Sequence, residues 1–96
     1  MSLGTLIRDP SDDYPVAVSF AAVDVFAAST VTTATVTITG DATLTAGSPS
    51  IAADVVTFRL YGGTAGSVGT VAVLAQNAAS PANKVERSFT VNTVEL

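Results

Sequence analysis

Between residues 31 and 39 threonine recurs at every second position, with Thr33, Thr35, Thr37 and Thr39 alternating with Ala34, Val36 and Ile38. A period of two sends successive side chains to opposite faces of an extended chain, so one face is apolar and the other is a ladder of hydroxyls. β-branched side chains also suit a pleated surface better than a helix. The stretch predicts a half-buried strand, and the same pattern returns along the chain. Val16, Val18 and Phe20 alternate with Ala17 and Ser19, and Val56, Phe58 and Leu60 alternate with Thr57, Arg59 and Tyr61. Val71, Val73 and Ala75 alternate with Ala72, Leu74 and Gln76, and because both faces of that run are apolar it reads as a central strand. Val85, Arg87, Phe89 and Val91 alternate with Glu86, Ser88, Thr90 and Asn92 in a last long strand.

Turn chemistry separates these runs. Gly40-Asp41 ends the threonine strand, 42–45 reads as its short returning partner in a hairpin, and 46–50, 62–67 and 77–83 are rich in Gly, Pro, Ser and Asn. Six or seven short strands in a chain of 96 residues predict one all-β domain, a small antiparallel β-sandwich that is immunoglobulin-like in architecture, with a small β-barrel as the alternative. The expected organisation is an extended N-terminal arm over 1–14, the prolines Pro10 and Pro15 making its latter part an extended arm or edge, followed by the sandwich over 15–96. Residues 21–29 form an irregular link or short strand with Val25 or Phe26 reaching the core, or else a helical turn. The expected core is Val18, Phe20, Val36, Ile38, Val56, Phe58, Leu60, Val73, Phe89 and Val91.

Composition bounds what such a domain does. It is 48% hydrophobic, too apolar for disorder, yet only 12% charged, so its exposed positions are filled by Thr, Ser, Ala, Asn and Gly. The net charge is −4, and the four cations Arg8, Arg59, Lys84 and Arg87 are scattered, which leaves no basic patch for a nucleic acid. Residues 1–4 lack the positive start and apolar core of an export signal, and the apolar region 16–28 is too short and interrupted to cross a bilayer, so no membrane partner is expected.

The chain contains no His and no Cys. Serine–histidine and thiol catalysis and His or Cys metal ligation are therefore excluded, and no catalytic residue, metal or cofactor is expected. Asp9, Asp12 and Asp13 offer oxygen ligands for Ca²⁺ but lack the spaced acidic pattern of a calcium loop, and read instead as an acidic turn capped by its own side chains or as a contact. The glycines of Gly62-Gly63-Thr64-Ala65-Gly66-Ser67 lack the Gly-Lys-Ser/Thr ending and following helix of a phosphate cradle, and read as a strand reversal at positive φ. Tyr61 and Arg59, exposed on one strand face, are the residue types that interfaces favour.

At this reversal a resemblance enters. Phe58-Arg59-Leu60-Tyr61-Gly62-Gly63-Thr64-Ala65-Gly66, a Val-alternating strand, and Glu86-Arg87-Ser88-Phe89-Thr90-Val91 resemble the bacteriophage fibre-tail adaptors, a family of small virion proteins that typically carry a strand into Leu-Ser-Gly-Gly-Thr-Ala-Gly and end in an Arg-Ser-Phe-Thr-Val strand. Arg8-Asp9-Pro10-Ser11-Asp12-Asp13-Tyr14 followed by residues 16–20 is similar to the family's Lys-Asp-Pro-Asp-Glu opening and its Tyr-x-Val-Asp-Trp strand, and residues 29–34 stand where the family has Gly-Asp-Thr-Ile. The similarity spans about 7–93. Phe20 and Val36 replace tryptophans, Leu60-Tyr61 replaces Leu-Ser, and Ser29 replaces the Asp, so core positions stay apolar while the partner-facing surface differs.

The resemblance implies a non-enzymatic structural protein of a tailed-phage virion, assembled in the bacterial cytoplasm, that joins tail or neck components and fibres. Its partners would be other phage structural proteins. A capsid decoration protein is the alternative within that class, and a carbohydrate-binding module, disfavoured by the lack of Trp, is the alternative outside it. Unprotected strand edges along 31–39 and the arm add an expectation of a homo-oligomer, with Arg8, Tyr14, Arg59 and Tyr61 as contacts and with 1–14 dispensable for folding.

Overall fold

The computed structural model describes residues 2–27 and 29–95. Met1, at the head of the expected arm, and Ala28, within the expected link, lie outside them, as does Leu96. Eight strands follow in order: β1 (Ser2–Arg8), β2 (Tyr14–Ser19), β3 (Val31–Thr39), β4 (Leu44–Ala46), β5 (Ser50–Ala52), β6 (Val55–Gly62), β7 (Val68–Asn77) and β8 (Lys84–Thr93). One sheet has the order β1-β8-β7-β3, and the other the order β2-β6-β4 with β5 also on β6. The two pack face to face as an open sandwich without barrel closure. β7 is central, as its two apolar faces require.

Three expectations need correction. The first is the arm, because residues 2–8 are the edge strand β1, paired with β8 from Ser2↔Ser88 to Arg8↔Thr93, and Tyr14 opens β2. The reason lies in Leu6, which packs on the core beside Val91, and in Arg8, which is wholly buried. The second is the purely antiparallel pattern: β1 runs parallel to β8, so that sheet is mixed. The third is the hairpin after β3. β4 crosses to the other sheet and pairs with β6, Leu44↔Gly62 and Ala46↔Leu60. The crossing follows from Asp41, which is buried at the end of the sandwich and turns the chain by accepting from the Thr43 amide at 3.1 Å and hydroxyl at 2.9 Å.

The core is filled as the alternation predicts. Val18, Phe20, Val56, Phe58, Leu60, Val73, Phe89 and Val91 are buried, while Val36 and Ile38 pack against them half-buried because β3 is an edge strand. Val31, Leu44, Val71 and Ala75 complete the core, together with Phe26. The link carries a single 3₁₀ turn, Asp24–Phe26, that lays the Phe26 ring edge-on to Phe20 at 6.2 Å and leaves Val25 exposed. Asn77, also buried, ties this link down: its side-chain amide donates to the carbonyls of Val25 (3.4 Å) and Ser29 (3.2 Å) and its oxygen accepts from the amides of Ala79 and Asn83.

Phe58 and Phe89 come from opposite sheets and their rings stack at 6.5 Å across the middle of the core. Truncating either to Ala is expected to cost about 3–5 kcal/mol in urea unfolding, enough to unfold most of a domain of ordinary stability. A loss below about 1 kcal/mol at both positions would contradict the register.

Candidate interaction surfaces

One end of the sandwich gathers the turn after β1, the β3–β4 turn, the β6–β7 turn and the end of β8. Its centre is Arg8, whose guanidinium donates to the carbonyls of Gly62 and Asp12. Its backbone carbonyl accepts from the Val94 amide at 2.8 Å. The double glycine is the seat of that side chain. Gly62 has φ +77°, and a Cβ there would lie 2.5 Å from the Thr43 carbonyl oxygen; Gly63 has φ +95°, and a Cβ there would lie 2.9 Å from an Arg8 guanidinium nitrogen and 3.0 Å from the Thr93 hydroxyl. Both positive φ and close approach demand glycine. The reversal at Gly62-Gly63 is therefore a packing site as well as a turn.

Asp41 knits the same end. Beyond its Thr43 bonds it accepts from the Thr64 amide at 3.2 Å, and the Thr43 and Thr64 hydroxyls meet at 2.8 Å. The β6–β7 turn is fixed in turn to the end of β8, the Gly66 amide donating to the Thr93 carbonyl at 2.8 Å and the Thr93 amide to the Ser67 carbonyl at 3.1 Å. Burial pushes the Asp41 carboxyl up, but the hydrogen bonds from the Thr43 hydroxyl and from the Thr64, Thr43 and Leu44 amides outweigh it and hold the group below the usual carboxylate range.

The acidic run folds into the turn between β1 and β2. Asp9 accepts from the Ser11 amide at 2.8 Å, Asp12 accepts from the Asp9 amide at 3.0 Å, and Asp13 pairs with Arg59 at 2.7 Å. The first two are turn caps and the third is an exposed ion pair of small energetic weight. Among the described residues no three acidic or other ligating side chains gather as a cation site.

The four expected contacts separate. Arg8 has no exposed surface, so it serves the fold and leaves the contact set. Tyr14 is half-buried and lines an apolar groove of about 370 Å³ that runs between the edges of β1 and β2, with Leu3, Leu6, Val16, Val18 and Phe89. Arg59 and Tyr61 are exposed two residues apart on β6, on the outer face opposite Pro15 and Thr45 respectively. Sequence reasoning missed the buried polar set of Arg8, Asp41, Asn77 and Thr93, since polar residues beside turns read as solvated.

The sign of the Asp41 effect on stability is fixed by its direction. A carboxyl lowered in the folded state stabilises above its unfolded pKa, near 4, and that stabilisation is lost as pH falls through the folded value. Asp41→Asn is expected to lose about 1–3 kcal/mol at neutral pH. The gap between it and the parent chain should shrink as unfolding is measured at successively lower pH below about 4. An unchanged gap down to the lowest pH measured would contradict the carboxylate's role.

The family described as "Podophage GP4 fiber-tail adaptor protein gp77" has a sequence profile that matches residues 8–92. No curated protein matches the chain significantly. The matched span begins at the buried Arg8 and takes in the Gly62-Gly63 seat, the Asp41 turn, strands β2 to β7 and β8 up to Asn92. The chain belongs to the podophage fibre-tail adaptor family, structural proteins that link the phage tail and its fibres.

Proposed function

We propose that this chain is a non-enzymatic virion component that assembles in the host cytoplasm as a homo-oligomer and joins the tail or neck to the fibres. The family match over residues 8–92 carries the reading. Its support in the fold is the rigid end built around Arg8 and Asp41, which spends the chain's polar side chains on fixing loops. Rigid loops and neutral sheet faces suit recognition by shape, since little side-chain order is lost on docking. Arg59 and Tyr61 present the exposed guanidinium and phenol of one partner surface, and the groove beside Tyr14 is a second, which borders the first at Pro15, opposite Arg59. An adaptor needs two.

The strand order also supports an immunoglobulin-like reading of the topology. β3-β7-β8 and β2-β6-β4 occupy the places of the C-F-G and B-E-D strands, with β1 moved from the B edge to the G edge.

The test is co-purification of the full chain with the tail, neck, fibre and major capsid proteins of its own phage. Expected is binding to one tail or neck protein and to one fibre protein, with the Arg59→Ala/Tyr61→Ala double variant losing at least about tenfold in affinity for one of them. Binding to the capsid protein alone would overturn the reading in favour of capsid decoration.

A further inference from the structure

Asn77 closes β7 at the end of the sandwich remote from Arg8, and its side chain is buried. A side-chain amide offers two N–H donors and one oxygen with two lone pairs. All of that capacity is spent here, and it is divided between two segments. The nitrogen donates to the carbonyls of Val25 and Ser29 on the link, and the oxygen accepts from the amides of Ala79 and Asn83 on the β7–β8 loop. The backbone repeats the second attachment, the Asn77 amide donating to the Asn83 carbonyl at 3.2 Å.

Neither segment has much else to hold it. Among the described residues of 21–30 the one buried side chain is Phe26, set against Phe20, with Val23 packed partly beside the core. No residue of 78–83 is buried. The two ends of the link are fixed separately, because the Phe20 amide donates to the Asp54 carbonyl at 2.8 Å and the Val31 amide to the Asp54 carboxylate at 2.9 Å. Between those points the link rests on Phe26, Val23 and the Asn77 amide.

If the link lifts, the Asn77 N–H groups lose their acceptors, and a buried polar group without partners is costly. Water relieves that cost by reaching the amide, where it also competes for the oxygen that holds the loop. Withdrawal of the loop lets water reach the nitrogen in the same way. Opening of one segment therefore lowers the cost of opening the other, which is positive coupling.

We propose that the link around Asp24–Phe26 and the β7–β8 loop open and close as one unit, with Asn77 as the side chain that couples them and Phe20 and Val31 as the fixed ends of the movement. By reciprocity, a contact that holds either segment shut steadies the other. The inference goes beyond the adaptor reading and does not depend on it.

Native-state hydrogen exchange of the full chain, followed residue by residue by NMR at increasing urea below the unfolding transition, is the test. Amides released by one opening share one opening free energy and one urea slope. Expected is a common opening for the Phe26 and Ala27 amides of the link and the Asn83 amide of the loop, easier than the global opening that releases the central strand β7. Phe26→Leu should speed exchange at all three by one common factor of about ten. Asn77→Asp keeps an acceptor for the loop and removes both donors to the link. Combined with it, Phe26→Leu should speed the link amides and leave the Asn83 amide unchanged. Should that variant not fold, the parent and Phe26→Leu measurements decide alone. Distinct opening free energies for link and loop, exchange of both through global unfolding alone, or a Phe26→Leu effect confined to the link overturns the proposal. An effect on the Asn83 amide that persists with Asn77→Asp removes Asn77 as the coupling residue and overturns it equally.

Discussion

The Arg8 guanidinium ties the two sheets together, and the rest of the structure is arranged to let it. Arg8 is the last residue of β1 in one sheet, Gly62 the last of β6 in the other, and Asp12 sits in the turn that carries the chain between them. A charge withdrawn completely from water is tolerated only when hydrogen bonds replace the water. The carbonyls of Gly62 and Asp12 do so for its two terminal nitrogens, while Nε is buried without a partner, and the two bonds join both sheets at that end. Two glycines follow of necessity, since any Cβ at 62 or 63 would strike the Thr43 carbonyl or the guanidinium itself. The parallel pairing of β1 with β8 sets Arg8 level with Thr93.

Other buried polar groups repeat the device. Asp41 binds the β3–β4 and β6–β7 turns at the Arg8 end, and Asn77 binds the 3₁₀ link and the β7–β8 loop at the other. At the β5–β6 turn Asp54 accepts from the Val31 amide through its side chain and from the Phe20 amide through its carbonyl. The apolar core between them is a stack of Phe, Val and Leu that any sandwich of this size would need. What distinguishes this chain is that its loops are fastened by side chains facing inward.

Much of this was legible. Period-two alternation located β2, β3, β6, β7 and β8 and most of the core, because burial of one face is the strongest force acting on such a strand. The glycine reversal and its family resemblance pointed to the right class of protein. Three things were hidden, each for a physical reason. Arg8 stands next to Asp9-Pro10 and reads as solvated, since sequence cannot announce two backbone carbonyls arriving from residues 12 and 62. β1 has Gly4 and Arg8 where an alternating strand would have apolar residues, so it looks like an arm. A Gly-Asp turn is as compatible with a tight hairpin as with a crossing to the other sheet, and the burial of Asp41 decides between them. The candidate contacts were mixed for the same reason: Arg59 and Tyr61 lie on a readable face, while Arg8 does not.

The central claim is that Arg8 and the double glycine act as one unit, and a double-mutant cycle of Arg8→Ala and Gly63→Ala in urea unfolding tests it most directly. Removing the guanidinium also removes the nearest of the atoms that a Cβ at 63 would meet, leaving the Thr93 side chain and the positive φ. The double variant should therefore be more stable than the sum of the two single losses allows, by about 1–2 kcal/mol. Strictly additive losses would show that the two positions are independent and that the buried guanidinium does not hold the sheets together through this turn.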